Sequence, residues 1–559
     1  MMNKKHFYRK KQKAIKKQSK NMKIIKCATY LLSACLLLSC GDQTTVNSVA
    51  KSDVFSNSDG QVTPISDTPS SLGFYAASRF LDQSSWGPTP QSVSEVRRLG
   101  YAAWIDKQLS QPATLTNPPS YVIDYTANDG VTTPRALNWV PIRFFEMTAI
   151  GQDQLRQRVS WAIYNFIPVG SGNAIVRPSY YDFIQQNSLS TYDQLLKAIT
   201  LSPSMGWFLN NQDNTASVPN ENFAREVMQL FSVGLVQLNM DGSIKRDGSG
   251  TPLQTYTQAD VIDAAKALSG WGDNWNKNLP NTNGCNCQVP MIPRSSSLHN
   301  TSSKKILGTN IAANQTIQQD LDSFVKILVN HPNTAPFVSK RLIQNLVTSD
   351  PSPEYISRVA KVFVDSKTDL SQVVKAILLD PEARAGDNPS AQTARVGKIK
   401  EPVLIRTTLM RGLSCKATIM SKNNSTQADY AAQDPINAPT VFGYVSPDYK
   451  APVSLTNLPE QSLMNLSALN NRNSLGYNFT MDNLQNAGCD IAPFLTAVQS
   501  SNADLIQLFS ERFFRGRMPT ALSNGVNALL NNDLASETAF NKVFYLLGLL
   551  ISSSTFGVV

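Results

Sequence analysis

The sequence predicts a mainly α protein, a multi-helix antiparallel bundle-like body with one short β-hairpin and long loops. Three observations carry this. Apolar residues recur at the helical period from about residue 72 onward. Cap residues and prolines stand where those periodic runs begin and end. The chain of 559 residues is 42% hydrophobic with only 28 Gly and 31 Pro, enough apolar material for a large core and no collagen-like or disordered composition.

The first element is not part of that body. Eleven Lys and Arg and no acid fall within residues 1–39, and residues 27–39 form an apolar run too short to span a bilayer comfortably. Together they predict an export signal. The boundary reads Leu37-Leu38-Ser39-Cys40-Gly41, which resembles a lipobox, with Cys40 as the lipidated residue. Cys35 is a competing match, but cleavage there would cut the apolar segment to about eight residues. Met22 would give a compact signal if translation started there. Residues 40–71 are rich in Ser, Thr, Asn, Asp and Gln and predict a flexible tether.

The formal charge of +10 therefore changes meaning. Beyond residue 39 the chain holds 40 basic against 41 acidic groups, so no bulk charge supports nucleic-acid binding. The expected address is the cell envelope, anchored to the membrane through an N-terminal lipid, at the outer membrane if the host is Gram-negative.

In the N-terminal half Thr89-Pro90 starts a helix through Val93 and Val96 that Gly100 terminates, and Trp104, Ile105 and Leu109 lie on the next. Asp241-Gly242 and Asp247-Gly248-Ser249-Gly250 punctuate a short extended segment at 235–256, predicting the hairpin. Thr257 and Asp260 restart helix as a capping box. The segment 271–300 is the longest irregular stretch, and such loops are often functional. Four amphipathic helices follow. The first carries Leu321, Phe324, Val325, Leu328 and Val329 and stops at His331-Pro332; the second carries Leu342, Ile343, Leu346 and Val347. The third opens at Ser352-Pro353, and the fourth runs from Leu370 to Leu378 and ends at Asp380-Pro381.

The common zinc, hydrolase and nucleotide signatures are absent from the sequence, and no metal site or cofactor is expected. His331 reads as a capping or packing residue; His299, at the edge of the long loop, is the better candidate for a site. Four cysteines follow Cys40, and export permits disulfides. The expected pairs are Cys415 with Cys489 and Cys285 with Cys287, with reduced, buried thiols as the alternative. In the string Pro219-Asn220-Glu221-Asn222-Phe223-Ala224-Arg225-Glu226, continuing to Phe231, one helical face is apolar. Asn222, Arg225, Glu226 and Gln229 form the other. That polar face either lines a cleft, with Arg225 gripping an anion and Glu226 acting as a base, or is a solvated face on which Glu221 pairs with Arg225. All seven tryptophans lie between Trp86 and Trp275, as core residues or as an aromatic platform. Trp271 and Trp275 flank the long loop and are the candidate ligand-binding pair.

Several strings, taken in order, resemble the bacterial family called domain of unknown function 1800. They include Ala77-Ser78-Arg79-Phe80-Leu81, Trp104-Ile105-Asp106-Lys107-Gln108-Leu109, Asn220-Glu221-Asn222-Phe223-Ala224-Arg225-Glu226 and Tyr256-Thr257-Gln258-Ala259-Asp260-Val261. His331-Pro332-Asn333-Thr334-Ala335-Pro336-Phe337, Asp380-Pro381-Glu382-Ala383-Arg384 and Ala438-Pro439-Thr440-Val441-Phe442 continue the series. The resemblance implies a secreted or lipid-anchored, largely helical protein, often encoded beside a sulfatase-like exported partner, with no established activity. Asn300 stands beside His299 where the family resembled prefers Asp. The expected organisation is a signal peptide at 1–39, a tether at 40–71 and one helical family domain, whose first part is 72–450 and whose C-terminal part is 451–559. The expected role is a scaffold or binding protein. The alternative is a hydrolase-type enzyme with its site on helix 220–229 and loop 271–300, built from Glu221, Asn222, Arg225, Glu226 and His299 with Trp271.

Overall fold

The computed structural model describes residues 72–118, 132–170, 176–274, 288–388, 397–417, 433–446, 448–450, 459–463 and 481–558. The signal peptide, Cys40, the tether, Trp275, Cys285 and Cys287 lie outside the described residues. Within them the chain is mainly helical, with two small antiparallel two-stranded sheets.

Local chemistry sets the first helices. After α1 (Phe74–Ser84), α2 (Pro90–Leu99) opens on a reciprocal cap: Thr89 accepts from the Ser92 N–H and the Ser92 hydroxyl accepts from the Thr89 N–H, with Pro90 in the first helical turn. It ends at Gly100, and α3 (Tyr101–Leu109) follows at once. Phe80 stacks on Tyr101 at 4.6 Å and meets Trp104 edge-on at 5.3 Å, which ties α1 to α3.

Next come α4 (Thr132–Ile150), α5 (Gln154–Phe166), α6 (Arg177–Asn187), α7 (Tyr192–Thr200) and α8 (Pro203–Phe208). Helix α5 is buried along nearly its whole length, because α1, α3 and α6 all pack on it. Trp86, Phe144 and Trp161 form an aromatic knot with centroids 5.2 to 6.0 Å apart. Trp86, Trp104 and Trp161 are thus core residues.

Asp182 on α6 fastens the segment before α4: it accepts from the Thr116 N–H at 2.7 Å and the Thr116 hydroxyl at 2.6 Å. Burial nevertheless pushes its carboxyl up to about 6. A value raised above the unfolded one favours folding below about pH 4, and that contribution is lost as pH rises through 6. From pH 4 to pH 7, Asp182→Asn is therefore expected to gain up to roughly 3 kcal/mol relative to wild type, read from urea midpoints. A pH-independent difference would contradict this.

Helices α9 (Glu221–Gln229) and α10 (Gln258–Ala267) pack together, α10 opening on the Thr257/Asp260 box. Between them the structure corrects the expected hairpin. Both Asp-Gly sequences turn the chain, so 235–256 makes two reversals, joined by isolated bridges at Val236 with Gln254, Leu238 with Ile244 and Arg246 with Pro252. The named sheets form later. β1 (Trp271–Gly272) pairs with β2 (Ile292–Pro293), and β3 (Lys304–Ile306) with β4 (Thr309–Ile311). The second pair turns through Leu307 (φ 49°) and Gly308 (φ 80°), the two positive φ values that a tight two-residue hairpin requires.

The four amphipathic helices are α11 (Ile317–Asn330), α12 (Thr334–Leu346), α13 (Pro353–Asp365) and α14 (Leu370–Leu379), and consecutive ones pack on each other. Their buried faces hold Leu321, Phe324, Val325 and Leu328, then Leu342, Ile343 and Leu346, then Ile356, Val359, Ala360 and Phe363, then Leu370 through Leu378 at helical spacing. His331 caps α11, and its Nδ1 accepts from the Asn333 N–H at 3.2 Å. Asp380 ends α14 and caps α15 (Pro381–Ala385). Helix α12 also packs against α5, so the four-helix unit and the aromatic half share one core.

Helix α16 (Pro402–Gly412) is fully buried. The C-terminal helices α17 (Met481–Asn486), α18 (Ala492–Ser500), α19 (Asn502–Phe513), α20 (Thr520–Asn531) and α21 (Ala539–Ser552) are tied to the rest in three ways. Ile399 bridges Val558, Cys415 is bonded to Cys489, and Arg515 reaches Asp82 on α1. No helix among the described residues is long and apolar enough to cross a membrane.

Candidate functional site

A cleft with a cavity volume of about 60 Å³ opens where α5, α12 and the segments 397–401, 441–445 and 459–463 converge. Helix periodicity sets one wall. Phe337, Arg341 and Asn345 follow each other at four-residue spacing on α12 and line the cleft, while Leu342, Ile343 and Leu346 point into the core. A close approach sets another wall. Gly443 (φ 81°) lies so near the end of α5 that a Cβ there would sit 2.4 Å from the Asn165 carbonyl oxygen, and this brings Val441, Phe442 and Val445 over the opening.

The floor is charged, and most of it is internally paired. Glu401 precedes Pro402 at the start of α16 and accepts from the Trp161 indole at 2.9 Å, from Asn165 and from Gln433. Lys398 meets Glu460 at 2.9 Å and donates to the carbonyls of Gln344 and Asn345, both at 3.0 Å. Glu460 also accepts from the Ser349 hydroxyl at 2.8 Å. Beneath them the buried Arg158 donates to the Asn345 carbonyl at 2.6 Å; burial holds its guanidinium below the ordinary value, with Glu401 the largest opposing influence.

Arg341 is answered less well. It lies over the Phe337 ring at 5.2 Å, donates to Gln344 at 3.3 Å, and comes only within 3.9 Å of Asp448, whose side chain is 71% exposed. Burial pulls both Arg341 and its neighbour Lys340 below their ordinary values. The rim is apolar, with Leu230, Phe337 and Val441 beside a Phe442 that is 47% exposed.

None of the candidate site residues read from the sequence lines this cleft. Glu221 and Arg225 pair at 2.8 Å on the half-exposed face of α9, and Gln258 at the start of α10 bonds both. Asn222 is exposed, with one long contact to Asn210. Glu226 is half-buried; burial raises its carboxyl, Arg225 opposes this, and one carboxylate oxygen has no partner among the described residues. His299 is buried elsewhere, with Nδ1 at 2.9 Å from the Ser269 carbonyl and Nε2 at 3.0 Å from Asp320. The aspartate beside this histidine in space is thus Asp320, not the neighbour in sequence, which is Asn300. Trp271 is 1% exposed and offers no face to a ligand. Among the described residues no group of three or more His, Cys, Asp or Glu is placed to hold a metal ion.

The cleft residues were missed because they come from six separate segments, yet a signal existed. Phe337, Val441 and Phe442 each belong to a string that carries the family resemblance, and Leu230 lies one turn beyond another. The family model described as protein of unknown function (DUF1800) matches residues 79–558. No curated protein and no solved structure matches the chain.

Proposed function

The chain belongs to the DUF1800 family, and from that premise we propose that it is an exported, lipid-anchored binding or scaffold protein of the cell envelope that holds its partner at the α5/α12 cleft. One observation carries the reading. Among the described residues the lining includes no hydroxyl, thiol or imidazole, and both carboxylates, Glu401 and Glu460, are occupied by internal donors, while the rim presents exposed apolar surface. That lining supports holding a partner.

The anchor rests on the basic run, the apolar segment 27–39 and Cys40. Several acyl chains hold a protein at a membrane firmly where one does so only marginally. The partner that fits the family resemblance is an exported, sulfatase-like protein. Mass spectrometry of the mature N-terminus is expected to find a lipidated Cys40; an unmodified terminus elsewhere would contradict the anchor. Affinity capture from the native envelope tests the cleft. Phe442→Asp, which puts a charge on the apolar rim, is expected to lose at least one protein that the wild type retains. Identical sets would contradict the reading.

A second reading places a hydrolase-type site on α9, because burial raises the Glu226 carboxyl and one of its oxygens has no partner among the described residues. A diazo reagent, which esterifies protonated carboxyls, would then label Glu226 more at pH 6 than at pH 8. Equal labelling would remove the observation that favours it.

A further inference from the structure

We propose that the cleft captures the C-terminal end of a polypeptide, with Arg341 taking the terminal carboxylate and the apolar rim seating the last side chain; this rests on the cleft reading above.

The argument begins with what the cleft leaves unanswered. Lys398, Glu401 and Glu460 are matched inside the protein. Arg341 is not: a carboxylate normally meets a guanidinium at about 2.7 to 2.9 Å, often through two bonds, whereas Gln344 stands at 3.3 Å and Asp448 at 3.9 Å. Lys340 adjoins it, and burial disfavours the charge on both. An anion bound at Arg341 would relieve the guanidinium, which lines the cleft. The Arg341 guanidinium lies over the Phe337 ring, 5.2 Å from its centroid, which helps to hold it in the cleft.

A second gap lies in the same cleft. Asn165 Oδ1 is buried and has no donor among the described residues, although its amide group bonds Asn345 and Glu401. The ligand that answers it carries an N–H or O–H near its carboxylate. A peptide end supplies an amide N–H there, as in other sites that capture terminal carboxylates. A fatty acid supplies none. Phe166, Leu230, Val441 and Phe442 complete an apolar seat for the last side chain. A sugar acid, polar on every edge, would leave that seat unsatisfied.

The test uses the mature chain and fluorescent decapeptides ending in Val, Leu or Phe, each as free acid and as C-terminal amide, with decanoate as a competitor. At least one free acid is expected to bind tenfold or more tighter than its amide. Arg341→Lys and Arg341→Met are each expected to remove most of that difference between free acid and amide. The acid-against-amide comparison on the wild type needs no variant, so it decides even if a substituted chain fails to fold. Equal binding of acid and amide, no binding of any peptide, or displacement by decanoate at peptide-like concentrations would overturn the proposal. If Phe442→Asp still alters envelope capture in that case, the cleft reading stands and only the carboxylate inference falls. If Phe442→Asp alters nothing, the cleft reading itself fails.

Discussion

Replacing Asp82 with Ala is expected to cost about 3–5 kcal/mol of folding stability, the loss typical of removing one partner from a buried charge cluster. Asp82 sits on α1, with Lys400 at 2.8 Å and Arg515 at 2.6 Å, and all three side chains are largely buried. Burial alone would raise the Asp82 carboxyl, but Lys400 and Arg515 outweigh it and hold the group below the ordinary carboxylate value. The Ala variant keeps both cations inside the fold without their counter-charge. Arg515 is also held at φ 56°, a conformation costly for a non-glycine residue, so the loss of Asp82 removes what rewards it. Because the folded value is depressed, this contribution is present above about pH 4 and lost as pH falls through the folded value. That sign is opposite to the one at Asp182. Urea unfolding at pH 7 measures the effect, with Asp82→Asn expected to lose less because it keeps an acceptor. A cost below about 1 kcal/mol for the Ala variant would show that these charges do not join the N- and C-terminal parts.

A loss of the same size is expected for Asp320→Ala. Asp320 lies in the first turn of α11, 2.7 Å from Lys304 and 3.0 Å from His299, with none of the three side chains appreciably exposed. Lys304 also donates to the carbonyls of Asn300 and Ser302, so one ammonium gathers the end of the 271–300 loop onto α11. Without the carboxylate that ammonium has only dipoles around it, which do not balance a buried charge. The loss is expected at about 3–5 kcal/mol, and limited proteolysis should open the segment between β2 and β4 before the rest of the chain. Lys304→Met together with Asp320→Leu should recover much of the stability, because a buried pair can be exchanged for apolar groups. If the double variant is no better than the single one, the cluster is not acting as a charge pair.

The contrast between these buried clusters and the helices explains what the sequence could disclose. Thr89, Thr257 and Ser352 act within three residues of themselves, so their caps and the buried faces of α11 to α14 are legible from spacing alone. The 235–256 segment was harder, because two Asp-Gly sequences allow one reversal or two and only the packing around them decides. The charged interior was illegible. Arg158, Lys398, Glu401 and Glu460 look in sequence like any surface charges, and their burial depends on partners up to hundreds of residues away. The polar face of α9 left two readings open from its spacing, and the pairing of Glu221 with Arg225 is the one seen, with Gln258 bonded to both.

Site-specific photo-crosslinking in the intact envelope tests the binding cleft most directly. With a benzophenone side chain at position 442 on the cleft rim, the chain is expected to form a defined adduct with one exported partner. The same probe at Val364, which is 53% exposed on α13, should not form that adduct. No adduct at 442, or the same adducts from both positions, would contradict the claim that this cleft is where the protein works.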